Sequence, residues 1–419
     1  MTLDPAVPRL PGPDHTIPLL REGYQFVGRR CDARGVDGFV ARLRGRDTLC
    51  VRGTDGAELA YGEGRVTRAG AIPAAVRHLL QDDDSVQGLD GAAHQRRRDL
   101  FLEVLGPTDT ARVVDLVRDR WACAVRDWPI GVTKSLGEVM DRVLAGAALE
   151  WTGLPHDRGT VTRLTGELAS MVDHAGLLDG PSVGSLAGNW RARARRRGTE
   201  RWVEEQVRAL RDRPPAEMTG PAVRVALHRE GGAALDTATA AVELINLLRP
   251  VVAICRFVVF TAMALARHPQ WQQPLADGDH AAAVTVAHEV RRTHPFFPAI
   301  LTIADEGAHW GAIPVPAGTL VLFDLYGTNH HPELWPYPWA FRPERHDDPA
   351  AVARLVPQGW GDPVSSHRCP GEPMTVQVVA AMACELARFP HRLPMQDLTL
   401  PLNHLPATPA GGLRVTRTG

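Results

Sequence analysis

From Ile72 to about His268, apolar residues recur every three or four positions among Ala, Leu, Arg and Glu, the spacing of one-sided helices. Elsewhere the rhythm changes. Phe39–Leu43 and Thr48–Arg52 alternate within Tyr24–Ala60, which reads as small strands, and residues 301–324 return to strand-like text, with IPVPAGTLVLFD reading as a hairpin. Turn clusters divide the helical text at Asp82–Ser85, Gly106–Asp109, Gly153–Gly159 and Gly180–Gly188. The longest apolar helix is expected over residues 234–268, where Pro269 stops it. A further apolar helical run extends from Met374 to Leu386. The proline-rich residues 1–20 read as an extended leader. With no internal repeat and no clear linker, the expected architecture is one large domain over residues 1–419, mainly α with small β-sheets.

Composition narrows the classes of function. A chain of 419 residues is long enough for two or three average domains, and is also a normal length for one large all-α enzyme. A net charge of −1 gives no global field toward nucleic acid or anionic membrane. The densest basic run is Arg191–Arg197 (RARARRR). Trp202, Val203 and Val207 continue it at helical spacing, so its arginines are expected to cover a solvated helix face rather than bind nucleic acid. Six cysteines without paired spacing suggest a reducing, cytoplasmic compartment. The N-terminus shows no apolar signal core, and no run of about 18 apolar residues predicts a membrane span.

The chemistry concentrates in Gln358–Glu372, QGWGDPVSSHRCPGE. Cys369 sits in a Gly- and Pro-rich loop, after His367 and Arg368 and before Pro370, Gly371 and an apolar helix. A thiolate there meets the positive end of the helix dipole, and nearby glycines let N–H groups approach the sulfur. Those are the needs of an axial thiolate on haem iron, the ligand that favours O–O cleavage. A second anomaly is Arg249-Pro250 inside the apolar helix. Proline there costs about 3 kcal/mol and frees the carbonyl of Asn246. A buried guanidinium needs a partner, typically a carboxylate held by two parallel hydrogen bonds. Glu243 lies six residues back, about 240° around the helix, so a ligand is the expected partner. Arg256, seven residues on, is the rival.

The Cys loop resembles that of the cytochrome P450 superfamily, with His367 at the usual basic position and Gly371 two residues after the Cys. It departs from the commonest form: the usual Phe is absent and Pro363–Ser366 looks like a short insertion. The phrase NLLRPVVAICRF is similar to the Arg-Pro helix of the fatty-acid peroxygenase branch. The acid–alcohol pair of ordinary members is missing from this helix. The resemblance covers about Thr16 to Val415 and implies the cytochrome P450 fold and a haem b cofactor. It also implies that Arg249 and Pro250 form the carboxylate site, with hydrogen peroxide as co-substrate and no redox partner. Gln87 falls where the branch places a Gln or His over the haem. The Gln is associated with hydroxylating members and the His with a decarboxylating one. His94 and Arg98 resemble a propionate-binding pair, with Arg68 as a further partner. Glu289, Arg292 and Arg345 look like the structural Glu-Arg-Arg network behind the haem loop. The expected reaction is α- or β-hydroxylation of a small-molecule carboxylic acid. The alternatives are decarboxylation to a terminal alkene, a redox-partner-fed monooxygenase on a biosynthetic acid, and a non-catalytic haem sensor.

Overall fold

The helical text packs as bundled layers because each helix carries its apolar residues on the face it buries. In Leu136–Thr152, for example, Leu136, Met140, Leu144 and Ala148 recur at i+4 and are all buried. The Ser135 side chain accepts from Glu138 N–H at its start, and Gly153 (φ 81°) closes its end. The computed structural model describes residues 3–62, 64–82, 84–174, 183–213, 220–409 and 411–419. Its largest apolar cluster draws on helices Pro107–Arg126, Leu136–Thr152, Thr237–Ala253, Cys255–Arg267, His280–Thr293 and Glu372–Arg388.

The expected helix over 234–268 is two helices. Thr237–Ala253 ends in a turn at Ile254, and Cys255–Arg267 follows. Pro250 supplies no N–H to the Asn246 carbonyl, and the last turn tightens to an Ile254 N–H bond to the Val251 carbonyl at 3.2 Å. Residues 240–252 are buried apart from Pro250. The whole stretch Thr237–Arg267 is long and apolar enough to cross a membrane, contrary to the expectation that no segment would be, but 83% of its apolar window is buried inside the fold. That is the burial of a core helix.

The main sheet has the strand order Gly38–Leu43, Arg46–Val51, Leu320–Asp324, Ala299–Ala304, Val66–Thr67. Arg46–Val51 and Leu320–Asp324 pair in parallel, and the other pairs are antiparallel. Leu320–Asp324 therefore pairs with Ala299–Ala304, while the local hairpin is shorter and lies at His309–Trp310 and Ile313–Pro314. Tyr24–Ala60 is more helical than its alternation suggested, since Phe26–Arg34 and Gly53–Tyr61 are helices around the two strands. The leader is extended only in part: Arg9 bridges to Val40, and Thr16–Glu22 is helical. The turn cluster Gly180–Gly188 lies outside the described residues at 180–182, and from Val183 a helix runs to Arg211. Within that helix Arg196 is fully buried, which contradicts a wholly solvated basic face.

Candidate active site

The Cys loop closes on itself before the helix Glu372–Arg388. Cys369 N–H donates to the Gln358 carbonyl at 2.9 Å, and the Gln358 side-chain amide reaches Cys369 Sγ at 3.7 Å. Gly359 and Gly361 (φ 104° and 93°) make the turn possible. A Cβ on Gly359 would stand 3.0 Å from Arg368 Cα. Cys369 is partly exposed, and burial pushes its thiol up, offset by the Gly371 N–H and the Gln358 amide. The loop thus offers a sulfur with N–H support, and a metal would supply the charge that favours the thiolate.

Arg98, expected at a propionate, spends Nε on the Val364 carbonyl (2.8 Å) and Nη2 on those of Pro363 (2.6 Å) and Arg368 (2.8 Å). It ties the helix Gly91–Val104 to the Cys loop. His94 stacks on His367 with ring centroids 3.8 Å apart, and burial with its cationic neighbours lowers it to about 4. Burial also lowers His367, opposed by its contact with Asp90. His367 Nε2 lies 3.6 Å from Asp90. Arg68 covers the Tyr61 ring and gives Nη2 to the Ala60 carbonyl at 3.1 Å, while its buried Nε has no partner among the described residues. An orphan guanidinium N–H beside two imidazoles, one of them on the Cys loop itself, fits a haem whose propionates Arg68, His94 and His367 would hold.

The Arg-Pro pair lies on the central helix Thr237–Ala253. Arg249 is buried, donates Nη1 to the Leu79 carbonyl at 3.2 Å, and has no carboxylate within ion-pair distance among the described residues. Burial, with Arg196 nearby, lowers its pKa to about 9. The rival, Arg256, is spoken for: it forms an ion pair with Asp173 and also feels Asp141. Glu243 is likewise occupied. It accepts from Arg97 Nη1 (2.6 Å), Val86 N–H (2.8 Å) and Asn246 Nδ2 (3.1 Å). Asn246 Nδ2 also reaches Gln87 Oε1 at 3.2 Å, which sets Gln87 one turn from Arg249 on the helix face. Asn246 Oδ1 is buried and without a partner among the described residues.

Behind the Cys loop, Glu289 gathers five donors. They are Arg292 Nε and Nη2, the Arg342 N–H and His346 Nε2 at 2.8 Å, and Arg345 Nε at 3.3 Å. Although burial opposes it, these partners hold the carboxyl down at about 2. Sequence reasoning missed His346, the next residue after the Phe341–Arg345 phrase. It also missed Arg291, which joins Glu372 and gives Nε to Gln358 Oε1 at 3.0 Å, steering the amide that faces the sulfur. Arg97 was missed as well, although it adjoins the His94–Arg98 pair.

The cytochrome P450 family profile matches residues 283–414. Among curated relatives, Cyclooctat-9-en-7-ol 5-monooxygenase of Streptomyces melanosporofaciens is 32% identical over 119 residues, 27% of this chain and only 25% of that protein. Solved structures match far more of the chain. Cytochrome P450SP alpha (CYP152B1) with (R)-ibuprophen is 32% identical with a TM-score of 0.90, covering 97% of this chain and 99% of that one. Cytochrome P450EX alpha (CYP152N1) with myristic acid is 32% identical with a TM-score of 0.88, covering 98% of each. A variant of cytochrome P450 OleT with arachidonic acid is 28% identical with a TM-score of 0.90, covering 99% and 98%. With this likeness extending from the Cys loop to the Arg-Pro helix, the chain belongs to the cytochrome P450 family, haem-dependent oxidoreductases, within the branch that these CYP152 structures represent.

Proposed function

We propose that the protein hydroxylates a carboxylic acid, most fittingly a fatty acid, at its α or β carbon with hydrogen peroxide as oxidant. The observation that carries this reading is Arg249: a buried guanidinium in an apolar helix with no carboxylate at ion-pair distance among the described residues. The ligands named in the similar structures, myristic acid, arachidonic acid and ibuprophen, are all carboxylic acids and support it.

Haem held through Cys369 would supply the oxygen-activating centre. The residues supply the rest. Arg249 binds the substrate carboxylate with its fork and so fixes Cα and Cβ at a constant distance from that anchor. The bound carboxylate then stands beside the peroxide as a general acid–base group, moving a proton from one peroxide oxygen to the other so that water can leave. Glu243, the acid of this helix, is not free for the task, because it is locked to Arg97, Val86 and Asn246. Gln87 and Asn246 offer polar contacts one turn away without bringing a further charge. Gln87, rather than His, favours hydroxylation over loss of CO2 in the reading by resemblance. The clamp equally suits a monooxygenase on an acid, so the oxidant is the quantity to test. The purified haem protein is given peroxide and free acids of increasing chain length, without reductase or NADPH, and products are identified by mass spectrometry. Hydroxy acids are expected. Turnover that appears only with reductase and ferredoxin overturns the proposal.

A further inference from the structure

The basic run Arg191–Arg197 plays no part in the reading above, yet one of its members is built into the acid site. Arg196 is fully buried and donates Nη1 to the Leu79 carbonyl at 2.9 Å. The same oxygen accepts Nη1 of Arg249 at 3.2 Å. Two like charges on one buried carbonyl oppose each other, and Arg196 contributes to lowering Arg249. Their surroundings differ in one respect. Arg196 is neutralised by Glu200 (Nε, 2.7 Å) and Asp82 (Nη2, 3.2 Å), whereas Arg249 has no acid at ion-pair distance among the described residues. The charge of Arg196 is therefore spent, and only Arg249 remains for a ligand.

Arg196 also holds strained backbone. Asp82 and Asp84 sit at φ 73° and 58°, the left-handed region that costs a non-glycine residue of order 1 kcal/mol. Surrounding contacts must impose such a bend, and the ion pair to Asp82 is one of them. The bend leads directly to Val86, whose N–H is held by Glu243, and to Gln87, which meets Asn246.

We propose that Arg196 is a positioning residue for the carboxylate site. By pinning the Leu79 carbonyl and the Asp82 bend together, it fixes the rotamer of Arg249 so that the fork is set before an acid arrives. This rests on Arg249 as the carboxylate's partner, and Arg196 itself does not touch the substrate.

The test uses haem-loaded protein titrated with dodecanoate, read by the spin-state change in the Soret band and by calorimetry. Arg196→Gln is expected to weaken binding about tenfold, the effect of a lost hydrogen bond from a charged group. KM should rise by the same factor while kcat changes less. Arg196→Lys keeps the charge for Asp82 and Glu200 but not the planar fork, and should recover part of the loss. If Arg196→Gln does not fold, Glu200→Gln serves instead: it loosens one counter-ion of Arg196 and should also weaken binding. Wild-type affinity in a folded Arg196→Gln protein overturns the inference. Arg249→Leu separates the two ideas. If it abolishes dodecanoate binding while Arg196→Gln is unaffected, only the positioning role fails. If Arg249→Leu binds like the wild type, the carboxylate reading fails, and this inference with it.

Discussion

Arg249→Leu should make the protein more stable and less able to bind acids. The fall of Arg249 from 12.5 to about 9 corresponds to about 5 kcal/mol of unfavourable surroundings for its charge. A guanidinium stays protonated across the working pH range, so the fold carries this as the cost of a lone buried cation. Relaxation and penetrating water reduce it, and replacing buried ions by apolar groups commonly yields about 1–4 kcal/mol. Leucine leaves no new orphan, because the Leu79 carbonyl keeps its bond from Arg196. Thermal unfolding of the ligand-free variant should therefore move to higher temperature. Acid binding should move the other way. A bidentate, charge-assisted pair in a dry site contributes about 3 kcal/mol, or roughly 100-fold in affinity. Calorimetry gives the first quantity, and a dodecanoate titration of the Soret band gives the second. A variant that is less stable by several kcal/mol would mean that Arg249 already has a partner in the folded protein. One that binds dodecanoate as the wild type does would refute the clamp.

Cys369→Ala should lose the red-shifted Soret band of the reduced CO complex, the mark of a thiolate ligand, and a variant that keeps the band would refute Cys369 as the ligand. Glu289→Gln should cost about 3–5 kcal/mol, because it leaves the buried Arg292 and the partly buried Arg345 without their anion; an unchanged denaturation midpoint would contradict this. The sign with pH follows from a depressed carboxylate. Its contribution, about 3 kcal/mol between the ordinary 4.5 and about 2, is fully present above pH 4.5 and lost as pH falls toward 2. The wild type should therefore lose stability more steeply than Glu289→Gln between about pH 4.5 and 2.

What could be read from the sequence was local. The Cys loop announces itself through glycines that must take positive φ and a sulfur before a helix, all within fifteen residues. Arg249 stands out because an adjacent proline breaks the rule for a core helix. The pairings were not legible, because periodicity carries no information about which distant charge meets which. Arg256 finds Asp173 on another helix, and Glu243 finds Arg97 across 146 residues. Arg196 looked solvated because its neighbours Arg195 and Arg197 are, and only the packing of helix Ala74–Leu80 against it reveals otherwise. Phe26–Arg34 went unseen within the strand-like stretch Tyr24–Ala60, since nine residues give only about two and a half turns of period.

That Arg249 has no counter-ion among the described residues has a consequence for finding the natural substrate. A fold that lacks one member of an ion pair is completed by whatever molecule brings it. Such a molecule binds the native state and not the unfolded chain, so it raises stability by RT ln(1 + [L]/Kd), about 2.7 kcal/mol at a hundredfold excess over Kd. Melting temperature then becomes a search tool that needs no oxidant and no product assay. Acids of different length and shape can be ranked by how far they shift it, and the same ranking in Arg249→Leu separates those recognised through the carboxylate from those held by apolar contact alone.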